Sequence, residues 1–488
     1  MATDPLQLSV ERPEWSARRT LWPAQGVVLL TTAVGIAACA VLFPWSTARV
    51  VVLVSIVFYL VSTVYKLWLV QSSIRSNAEM RVGAEELASL ADDRLPAYSI
   101  LVPLYHESES IGQLVDALSR LEYPAGKLDV QLLLEEDDAE TRAAVAGATL
   151  PAGWRVPPVP VSRPRTKPKA CNIGLGEARG ELLVIYDAED RPEPDQLKKA
   201  VVAFRRCPPD IVCLQSKLNF YNPRQNLLTR WFTAEYSAWF DLALPGLCAE
   251  RSIIPLGGTS NHFRTASLRA MLGWDAFNVT EDCDLGVRIY RCGWGTRMLD
   301  TTTWEEACSH LGFWIRQRTR WLKGYLQTYL VHLRQPVRLL RDLGAVNTVR
   351  FHLLIGGIIL CFLMNPVYWA LTVCWFVFRS RFLEPLFPGS VFVLAALCLF
   401  VGNFAFIYMG MLGTFRRGAF DLVKYLLISP LYWVLMSVAG WRAVYQLLVA
   451  PVYWEKTRHG FHLKPPDGNA SGRAAAAPER RTESAVSP

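Results

Sequence analysis

The stretch ELLVIYDAED at residues 181–190 joins a run of apolar side chains to three carboxylates. Residues 181–186 begin with Glu181 and continue as a short apolar run that is rich in branched side chains, which is typical of a buried strand. Asp187, Glu189 and Asp190 follow it directly. Open α/β folds bind ligands at the carboxyl edge of a parallel sheet, so the sequence predicts an α/β domain with an acidic ligand site at that edge.

Asp187 and Glu189 lie two residues apart on the predicted turn. Carboxylates at this spacing can share one Mg²⁺ or Mn²⁺ ion, whose charge would bridge a nucleotide diphosphate. Residues 190–195 also carry the prolines and acidic side chains of a helical first turn. At this point a metal site and a helix start explain these residues equally well.

The surrounding residues 77–310 have the pattern of a soluble α/β domain, with short apolar runs between polar helical stretches. Residues 98–103 and 130–134 are predicted as further strands, and residues 110–121 as a helix between them.

Apolar segments long enough to cross a membrane flank this domain. Two of them, at about residues 24–43 and 50–70, precede it, and three follow, near residues 351–378, 390–412 and 422–450. We expect Pro430 and Gly440 to break the last segment into two short interfacial or re-entrant helices instead of a full span.

Basic residues at the ends of the first two spans predict the orientation. Arg18 and Arg19 precede the first span, and Lys66, Arg75 and Arg81 lie at or after the end of the second. By the positive-inside rule, both flanks are then cytoplasmic. The sequence predicts a multi-pass membrane protein with the large domain in the cytoplasm.

Charge and cysteine content agree with this location. The net charge of +8 comes from Lys and Arg beside the apolar segments, which predicts contact with lipid headgroups and no nucleic-acid partner. The eleven cysteines are scattered, without a C-x-x-C pair or zinc-ligand spacing, as expected of reduced thiols in the cytoplasm.

A second acidic cluster, Thr280-Glu281-Asp282, has the form of a helix start with an acidic first turn. Capping accounts for Thr280 and in part for Glu281. It does not require Asp282, which we interpret as a general base that removes the proton of an acceptor hydroxyl.

A third cluster, Q-R-T-R-W at residues 317–321, places Gln317, Arg320 and Trp321 on one side of a helix. The guanidinium fork of Arg320 matches phosphate oxygens, and Trp321 can offer a flat face to a sugar ring. Taken alone, the stretch is more typical of an interfacial helix with arginines on headgroups.

The three clusters occur in this order within one domain that is framed by apolar segments. The pattern resembles the processive family 2 glycosyltransferases, which include the cellulose, chitin and hyaluronan synthases. Both T-E-D and Q-x-x-R-W are intact, and the resemblance covers about residues 98–330. It implies an α/β GT-A domain with a Rossmann-like mixed sheet, inserted between transmembrane helices.

The resemblance also implies roles for individual residues on the donor side. Pro103, Tyr105 and Glu107 are similar to the P-x-Y-N-E nucleotide loop, with His106 in place of asparagine, and Lys167 begins a segment similar to K-A-G-A-L-N near the diphosphate. The donor would also be bound by Asp187, Gln317 and Arg320. The metal would be held by Asp187 and Glu189. Their motif here is Asp-x-Glu, whereas the family has Asp-x-Asp. Glu136 and Asp137 would contact the base, but the run E-E-D-D at residues 135–138 leaves open which carboxylate does so.

On the acceptor side, Gly258, Thr259 and His262 belong to the stretch G-G-T-S-N-H-F-R, which is similar to the loop before T-E-D. Its glycines allow close backbone approach to a ligand, as they also would in a plain tight turn. Trp321 would lie at the mouth of the acceptor path. Asp282, with Glu281 beside it, would be the catalytic base.

The function implied is an inverting hexosyltransferase that elongates a β-linked glycan from a nucleotide sugar, with UDP-glucose favoured, and moves it across the membrane. Two alternatives are a single-addition transferase acting on a lipid-linked acceptor, and a transporter or receptor that binds nucleotide without chemistry. Any subunit for export or regulation would be a separate chain.

Residues 453–460, YWEKTRHG, resemble the gating segment of cellulose synthases, although a juxtamembrane anchor has the same composition. The predicted organisation is an N-terminal cytoplasmic segment (1–23), two transmembrane helices (24–70), the GT-A domain (77–310), amphipathic interface helices (311–350), transmembrane helices with an interfacial or re-entrant segment (351–450), a gating segment (451–463) and a disordered tail (464–488).

Overall fold

The computed structural model describes residues 4–379 and 381–455. Two expectations concern residues outside these ranges: the second part of the gating segment, residues 456–463, and the tail at residues 464–488.

A mixed sheet of eight strands forms the centre of the large domain. The strands are β1 (Tyr98–Leu104), β2 (Leu128–Glu135), β3 (Pro158–Val159), β4 (Leu182–Ile185), β5 (Arg191–Pro192), β6 (Ile211–Phe220), β7 (Asn261–Arg264) and β8 (Gly295–Glu305). Their order in the sheet is β3-β2-β1-β4-β7-β6-β8-β5. The three strands predicted from the sequence correspond to β1, β2 and β4, and are confirmed.

Strands β1, β2 and β4 run parallel to one another, whereas β7 is antiparallel to both of its neighbours. The parallel strands are buried almost throughout, which explains their uninterrupted apolar runs, because helices cover both faces of such a sheet. Their carboxyl ends meet at one edge. The loops after Leu104, Glu135 and Ile185 are therefore neighbours there.

Nineteen α-helices are present in the described residues. Those before and within the large domain are α1 (Gln7–Glu11), α2 (Pro23–Leu42), α3 (Pro44–Arg75), α4 (Ala84–Ala88), α5 (Ile111–Ser119), α6 (Ala139–Gly147), α7 (Lys167–Glu177), α8 (Gln196–Arg206), α9 (Leu227–Ala238), α10 (Leu244–Ala249), α11 (Thr265–Ala270) and α12 (Glu281–Arg291). Those after it are α13 (Leu311–His332), α14 (Pro336–Phe351), α15 (Gly357–Phe378), α16 (Gly389–Leu397), α17 (Asn403–Arg416), α18 (Val423–Leu426) and α19 (Pro430–Val449).

Four helical stretches in the described residues are long and apolar enough to cross a membrane: Pro23–Leu42, Pro44–Arg75, Pro336–Phe378 and Gly389–Arg416. By length and composition the chain is a membrane protein, as predicted. The third stretch begins earlier than expected, because α14, which was predicted to be an interface helix, continues into α15 beyond a kink at Gly344 (φ 73°).

The last apolar segment is bent by 70° between residues 420–426 and α19. The break lies just before Pro430, as predicted, since proline suits the first turn of a helix. The expected break at Gly440 is wrong, because Gly440 lies inside α19. A Cβ at this position would lie 3.4 Å from Phe362, so the glycine serves close packing of α19 on α15.

The apolar helices pack directly on the large domain. A Cβ on Gly246 of α10 would lie 2.2 Å from the carbonyl oxygen of Leu69 on α3, and one on Gly413 of α17 would lie 2.5 Å from the backbone nitrogen of Ala238 on α9. Only glycine permits backbones to approach this closely. The domain and the membrane helices are thus joined by backbone contacts.

Candidate active site

One cavity of about 1560 Å³ begins at the carboxyl edge of the sheet and continues between the apolar helices. The sequence-predicted residues that line it are Pro103, Tyr105, Glu107, Lys167, Asp187, Glu189, Gly258, Thr259, Glu281, Asp282, Gln317, Arg320 and Trp321. Glu136, Asp137 and His262 do not line it. Elements far apart in the chain therefore bring most of the predicted site residues together.

The turn after β4 is organised by Asp190, which is fully buried. Its carboxylate accepts a hydrogen bond of 2.8 Å from the backbone N–H of Asp187 and another from the hydroxyl of Thr259. Burial and the nearby charges of Asp187 and Glu189 raise the pKa of Asp190 well above its usual value. Asp190 thus shapes the turn, while Asp187 and Glu189 line the cavity.

Lys167, the first residue of α7, connects this turn to the acceptor-side loop. Its ammonium forms an ion pair with Asp187 and donates a hydrogen bond of 2.7 Å to the carbonyl of Gly258. A Cβ added to Gly258 would lie 3.4 Å from Oδ2 of Asp282 and 3.8 Å from Nζ of Lys167. Gly258 therefore marks the place where the donor-side lysine and the candidate base come close together.

The carboxylates beside Asp187 fit a divalent cation. The described residues contain no group of three or more His, Cys, Asp or Glu side chains that would hold a metal by themselves. However, burial and the charges of Asp190, Glu189 and Asp187 raise the pKa of Glu305 well above its usual value. This crowding of negative charge beside the cavity is what a divalent ion would neutralise, and Mg²⁺ commonly takes one or two carboxylates together with substrate phosphates.

Thr280-Glu281-Asp282 begins α12, as predicted, but the hydroxyl of Thr280 makes no capping hydrogen bond. A Cβ on Gly324 of α13 would lie 2.2 Å from that hydroxyl oxygen, so Thr280 fills a space between the two helices instead. Oδ1 of Asp282 accepts a hydrogen bond of 2.7 Å from the N–H of Cys283.

The two carboxylates of this cluster differ in protonation. Burial raises the pKa of both Glu281 and Asp282, and the charge of Asp282 helps to raise that of Glu281 to about 8. The positive charges of Lys167 and Arg320 act in the opposite direction on both carboxylates. Two carboxylates that share one site do not readily ionise together. At neutral pH Glu281 therefore keeps its proton, and the carboxyl of Asp282 is the candidate base.

Arg320 and Gln317 on α13 face the cavity with polar atoms that lack partners among the described residues, namely Arg320 Nε and Gln317 Oε1. Arg320 donates one long hydrogen bond, 3.3 Å, to the carbonyl of Val279. Its guanidinium lies 4.5 Å from the centre of the Trp454 ring. Unsatisfied polar atoms are costly when buried, so this part of the helix is suited to bind a polar ligand.

Trp321 is held by neighbours on α9 and α13. The Tyr236 ring stacks on it at 6.3 Å, and the guanidinium of Arg318 lies 4.6 Å from its ring centre. Arg318 forms two hydrogen bonds to the carboxylate of Glu235, which also accepts one from Tyr432. Glu235, Arg318 and Tyr432 line the cavity, but sequence reasoning missed them, because Arg318 occupies a variable position of the motif and the other two lie in no motif.

The four residues of the run 135–138 have separate roles. Glu135 lines the cavity and pairs with Lys169 at 3.1 Å, whereas Glu136 is exposed. Asp137 forms an ion pair of 2.6 Å with Arg165, which lines the cavity.

Asp138 is buried and accepts a hydrogen bond of 2.5 Å from the backbone of His106. His106 has a φ of 52°, in the left-handed region that asparagine adopts readily and histidine does to a lesser degree. Asp138 thus holds the loop after β1 in the conformation that carries Tyr105 and Glu107 into the cavity.

His262 lies in β7, paired with β4 and β6. Its side chain is fully buried, with Nδ1 at 2.6 Å from the Tyr98 hydroxyl and Nε2 at 3.2 Å from that of Ser216. Burial lowers the pKa of His262 to about 3, so it stays neutral. The structure places this residue in the core of the sheet and not on the acceptor side of the cavity.

Two segments near the chain ends also border the cavity. Leu6 and Arg18 line it, and the segment between them is held by Ser16 and Ala17, which donate hydrogen bonds to Asp275. No motif in the sequence indicated this contact. At the other end, Lys323 donates a hydrogen bond of 2.7 Å to the carbonyl of Tyr453, which places Trp454 over Arg320. The described part of the predicted gating segment thus crosses α13.

Comparisons with known proteins concern the domain that carries this cavity. Residues 96–324 match the family model described as "Glycosyltransferase like family 2". Relatives include "Probable glycosyltransferase YdaM" of Bacillus subtilis (27% identity, 51% of this chain and 59% of that protein), "Probable glucomannan 4-beta-mannosyltransferase 1" of Arabidopsis thaliana (26%, 49% and 45%) and "Beta-monoglucosyldiacylglycerol synthase" of Trichormus variabilis (28%, 48% and 50%). The matches thus span about half the length of these curated relatives.

Among solved structures, the mannosyltransferase PcManGT from Pyrobaculum calidifontis, in complex with GDP-Man and Mn²⁺, superposes with a TM-score of 0.51 at 17% identity. The match covers 82% of this chain and 99% of that one. At this identity the likeness concerns the fold, and it confirms the predicted GT-A-like mixed α/β sheet.

Proposed function

We propose that the family 2 glycosyltransferase domain formed by residues 96–324 transfers a hexose, with inversion, from a nucleotide sugar to a hydroxyl of a growing β-linked glycan. The observation that supports this most strongly is the single cavity that Lys167, Asp187, Asp282 and Arg320 share and that continues between the membrane helices. A domain that only binds a soluble nucleotide does not require a cavity that continues between membrane helices.

On the donor side, the nucleotide would occupy the sheet edge near Tyr105 and Glu135, with its diphosphate between Lys167 and Arg320. These two cations would stabilise the negative charge that develops on the departing diphosphate. Asp187 and Glu189 would hold a Mg²⁺ or Mn²⁺ ion, which supplies further positive charge at that leaving group when bound.

On the acceptor side, Asp282 takes the proton of the attacking hydroxyl as the oxygen bonds to the anomeric carbon and the bond to the diphosphate breaks. Its neighbour Glu281 is protonated at neutral pH, so the pair contributes at most one negative charge beside the incoming donor. The oxygen attacks opposite the leaving group, which gives a β-linked product from an α-linked donor. General-base catalysis of this kind contributes about 10²- to 10⁴-fold.

Elongation is supported by the path beyond the site. Trp321 lines the same cavity as Glu281 and Asp282, and Asn365 of the membrane helix α15 adds a polar group to its wall. We favour UDP-glucose as donor on the resemblance to cellulose synthases. The N-terminal arginines and the use of a nucleotide sugar support a domain on the cytoplasmic side of a bacterial inner membrane.

A second candidate is the addition of a single sugar to a lipid-linked acceptor. It is favoured by the mostly apolar walls of the inner part of the cavity, including Leu354, Ile358 and Met409. One of the relatives is named for synthesis of a glucosylated diacylglycerol.

The test uses the purified full chain in lipid nanodiscs with Mg²⁺ or Mn²⁺ and a panel of nucleotide sugars. Release of nucleoside diphosphate and the size of the product are measured. Asp282→Asn removes the base, and Asp116→Asn, at an exposed position of α5, is the matched control. Long polymer from one donor, lost only in Asp282→Asn, is the expected result. Short lipid-linked products would favour the second candidate, and turnover by Asp282→Asn equal to that of the control would reject the mechanism.

A further inference from the structure

Lys66 lies on the membrane helix α3, and its side chain lines the cavity. The ammonium is 4.5 Å from the centre of the Phe406 ring on α17. Cys361 and Asn365 of α15 line the same cavity. The cation is therefore placed among helices that are long and apolar enough to cross a membrane, and not beside the sheet.

No carboxylate pairs with Lys66 within residues 4–379 and 381–455, and none of the hydrogen bonds found there involves its ammonium. The surrounding walls include Leu69, Val70, Phe406 and Met409. Burying an ammonium among apolar side chains costs free energy unless an anion lies beside it. The contact with the Phe406 ring offsets only part of this cost. A negatively charged ligand would therefore be stabilised beside Lys66.

The level of Lys66 along α3 indicates the source of that ligand. Leu69, one helical turn later, already touches the backbone of Gly246 in the large domain. Trp68 and Ser72 donate hydrogen bonds to Glu250 of the same domain, of 3.0 and 2.6 Å. One turn of helix is about 5.4 Å. Lys66 therefore lies where the domain meets the membrane, which is the level of lipid headgroups.

We propose that Lys66 binds the phosphate group of an anionic lipid whose acyl chains pack between α3, α15 and α17. The proposed diphosphate site is separate, since it is built by Lys167 and Arg320 from α7 and α13. Lys66 and Asp282 line the same cavity. The site goes beyond the proposed transferase activity and can be tested without it.

The experiment is native mass spectrometry of the purified full chain, titrated with phosphatidylglycerol or with diacylglycerol of the same acyl chains. Inorganic phosphate and UDP are added as competitors in separate arms. The variants are Lys66→Met, which removes the charge, Lys66→Arg, which keeps it, and Lys424→Met, which removes an exposed lysine of α18. Size-exclusion profiles and thermal unfolding check that each variant is folded.

We expect wild type, Lys66→Arg and Lys424→Met to retain phosphatidylglycerol in preference to diacylglycerol, and Lys66→Met to lose this preference by about five- to tenfold. Equal retention by Lys66→Met, or equal loss in Lys424→Met, would overturn the site. Displacement of the lipid by inorganic phosphate or UDP would show that Lys66 binds a free phosphate or the donor. This result would also overturn the lipid site. Failure of the transferase proposal would appear instead as absent donor turnover with lipid binding intact.

Discussion

The guanidinium of Arg320 lies over the indole ring of Trp454, with 4.5 Å between Cζ and the ring centre. The two residues are far apart in the chain, and their contact joins the described C-terminal segment to the helix that carries Q-x-x-R-W. Such a contact contributes roughly 0.5–2 kcal/mol, depending on how far it is desolvated. It holds the side chain that we propose to bind phosphate in place before any ligand arrives.

Replacing Arg320 with lysine should lower kcat about 10- to 100-fold, because lysine keeps the charge but lacks the planar fork that stacks on Trp454 and spans two phosphate oxygens. Steady-state diphosphate release measures the effect. Arg316→Lys, at an exposed position of the same helix, is the control and should remain near wild type. Full activity of Arg320→Lys would mean that charge alone suffices at this position.

The rate should depend on the protonation of Glu281. Its pKa is raised to about 8, and below this value the side chain is neutral. Above it, a second negative charge would lie beside Asp282 and repel the donor diphosphate, so kcat/KM should fall as the pH rises through 8. Glu281→Gln, which stays neutral, should lose that descending limb in a pH profile from 6 to 10. A limb that persists in Glu281→Gln must come from another group.

Gly258→Ala should reduce kcat/KM about 10- to 100-fold without unfolding the protein. The added methyl would lie 3.4 Å from Oδ2 of Asp282, in the space between base and donor-side lysine, where small displacements of reacting groups are costly. Gly112→Ala, on α5 with nothing within 4 Å of its Cβ position, is the control. Kinetics together with thermal unfolding distinguish a local effect from a loss of fold. Unchanged kinetics in Gly258→Ala would mean that the acceptor does not bind beside Gly258.

Removal of divalent cations should abolish diphosphate release, since Asp187 and Glu189 alone leave negative charge where the donor phosphates must bind. Added Mg²⁺ or Mn²⁺ should restore it. In Asp187→Asn the metal concentration for half-maximal rate should rise at least about tenfold, because one anionic ligand is lost. Activity that survives chelation in wild type would show that Lys167 and Arg320 neutralise the diphosphate by themselves.

Arg334 should be needed to hold the N-terminal segment on the domain. Its guanidinium donates hydrogen bonds of 2.9 to 3.1 Å to the carbonyls of Pro13, Glu14 and Ser16. In Arg334→Ala, amide hydrogen exchange at residues 13–19 should become about tenfold faster or more, because the local opening free energy falls. Arg341→Ala, exposed on α14, should leave exchange unchanged. Equal exchange rates at residues 13–19 in both variants would show that Asp275, without Arg334, holds the N-terminal segment on the domain.

The parts of the site that depend on local pattern could be predicted from the residues alone. Branched apolar runs predicted β1, β2 and β4, and the rule that parallel strands end at one edge then brought the loops carrying Tyr105 and Asp187 together. Asp282 and Arg320 were found because each belongs to a short motif with its own chemistry. The apolar segments were recognised by length, and the break before Pro430 by the geometry of proline.

Which side chains meet across the chain depends on how distant elements pack, and this could not be predicted. Arg318 pairs with Glu235, 83 positions away, and Tyr432 joins them from 197 positions beyond Glu235. Sequence periodicity does not predict contacts over such separations. Strand register decided that His262 points into the sheet, since a shift of one residue would reverse its direction. Likewise, the packing of three helices, and not any motif, placed the ammonium of Lys66 inside the cavity.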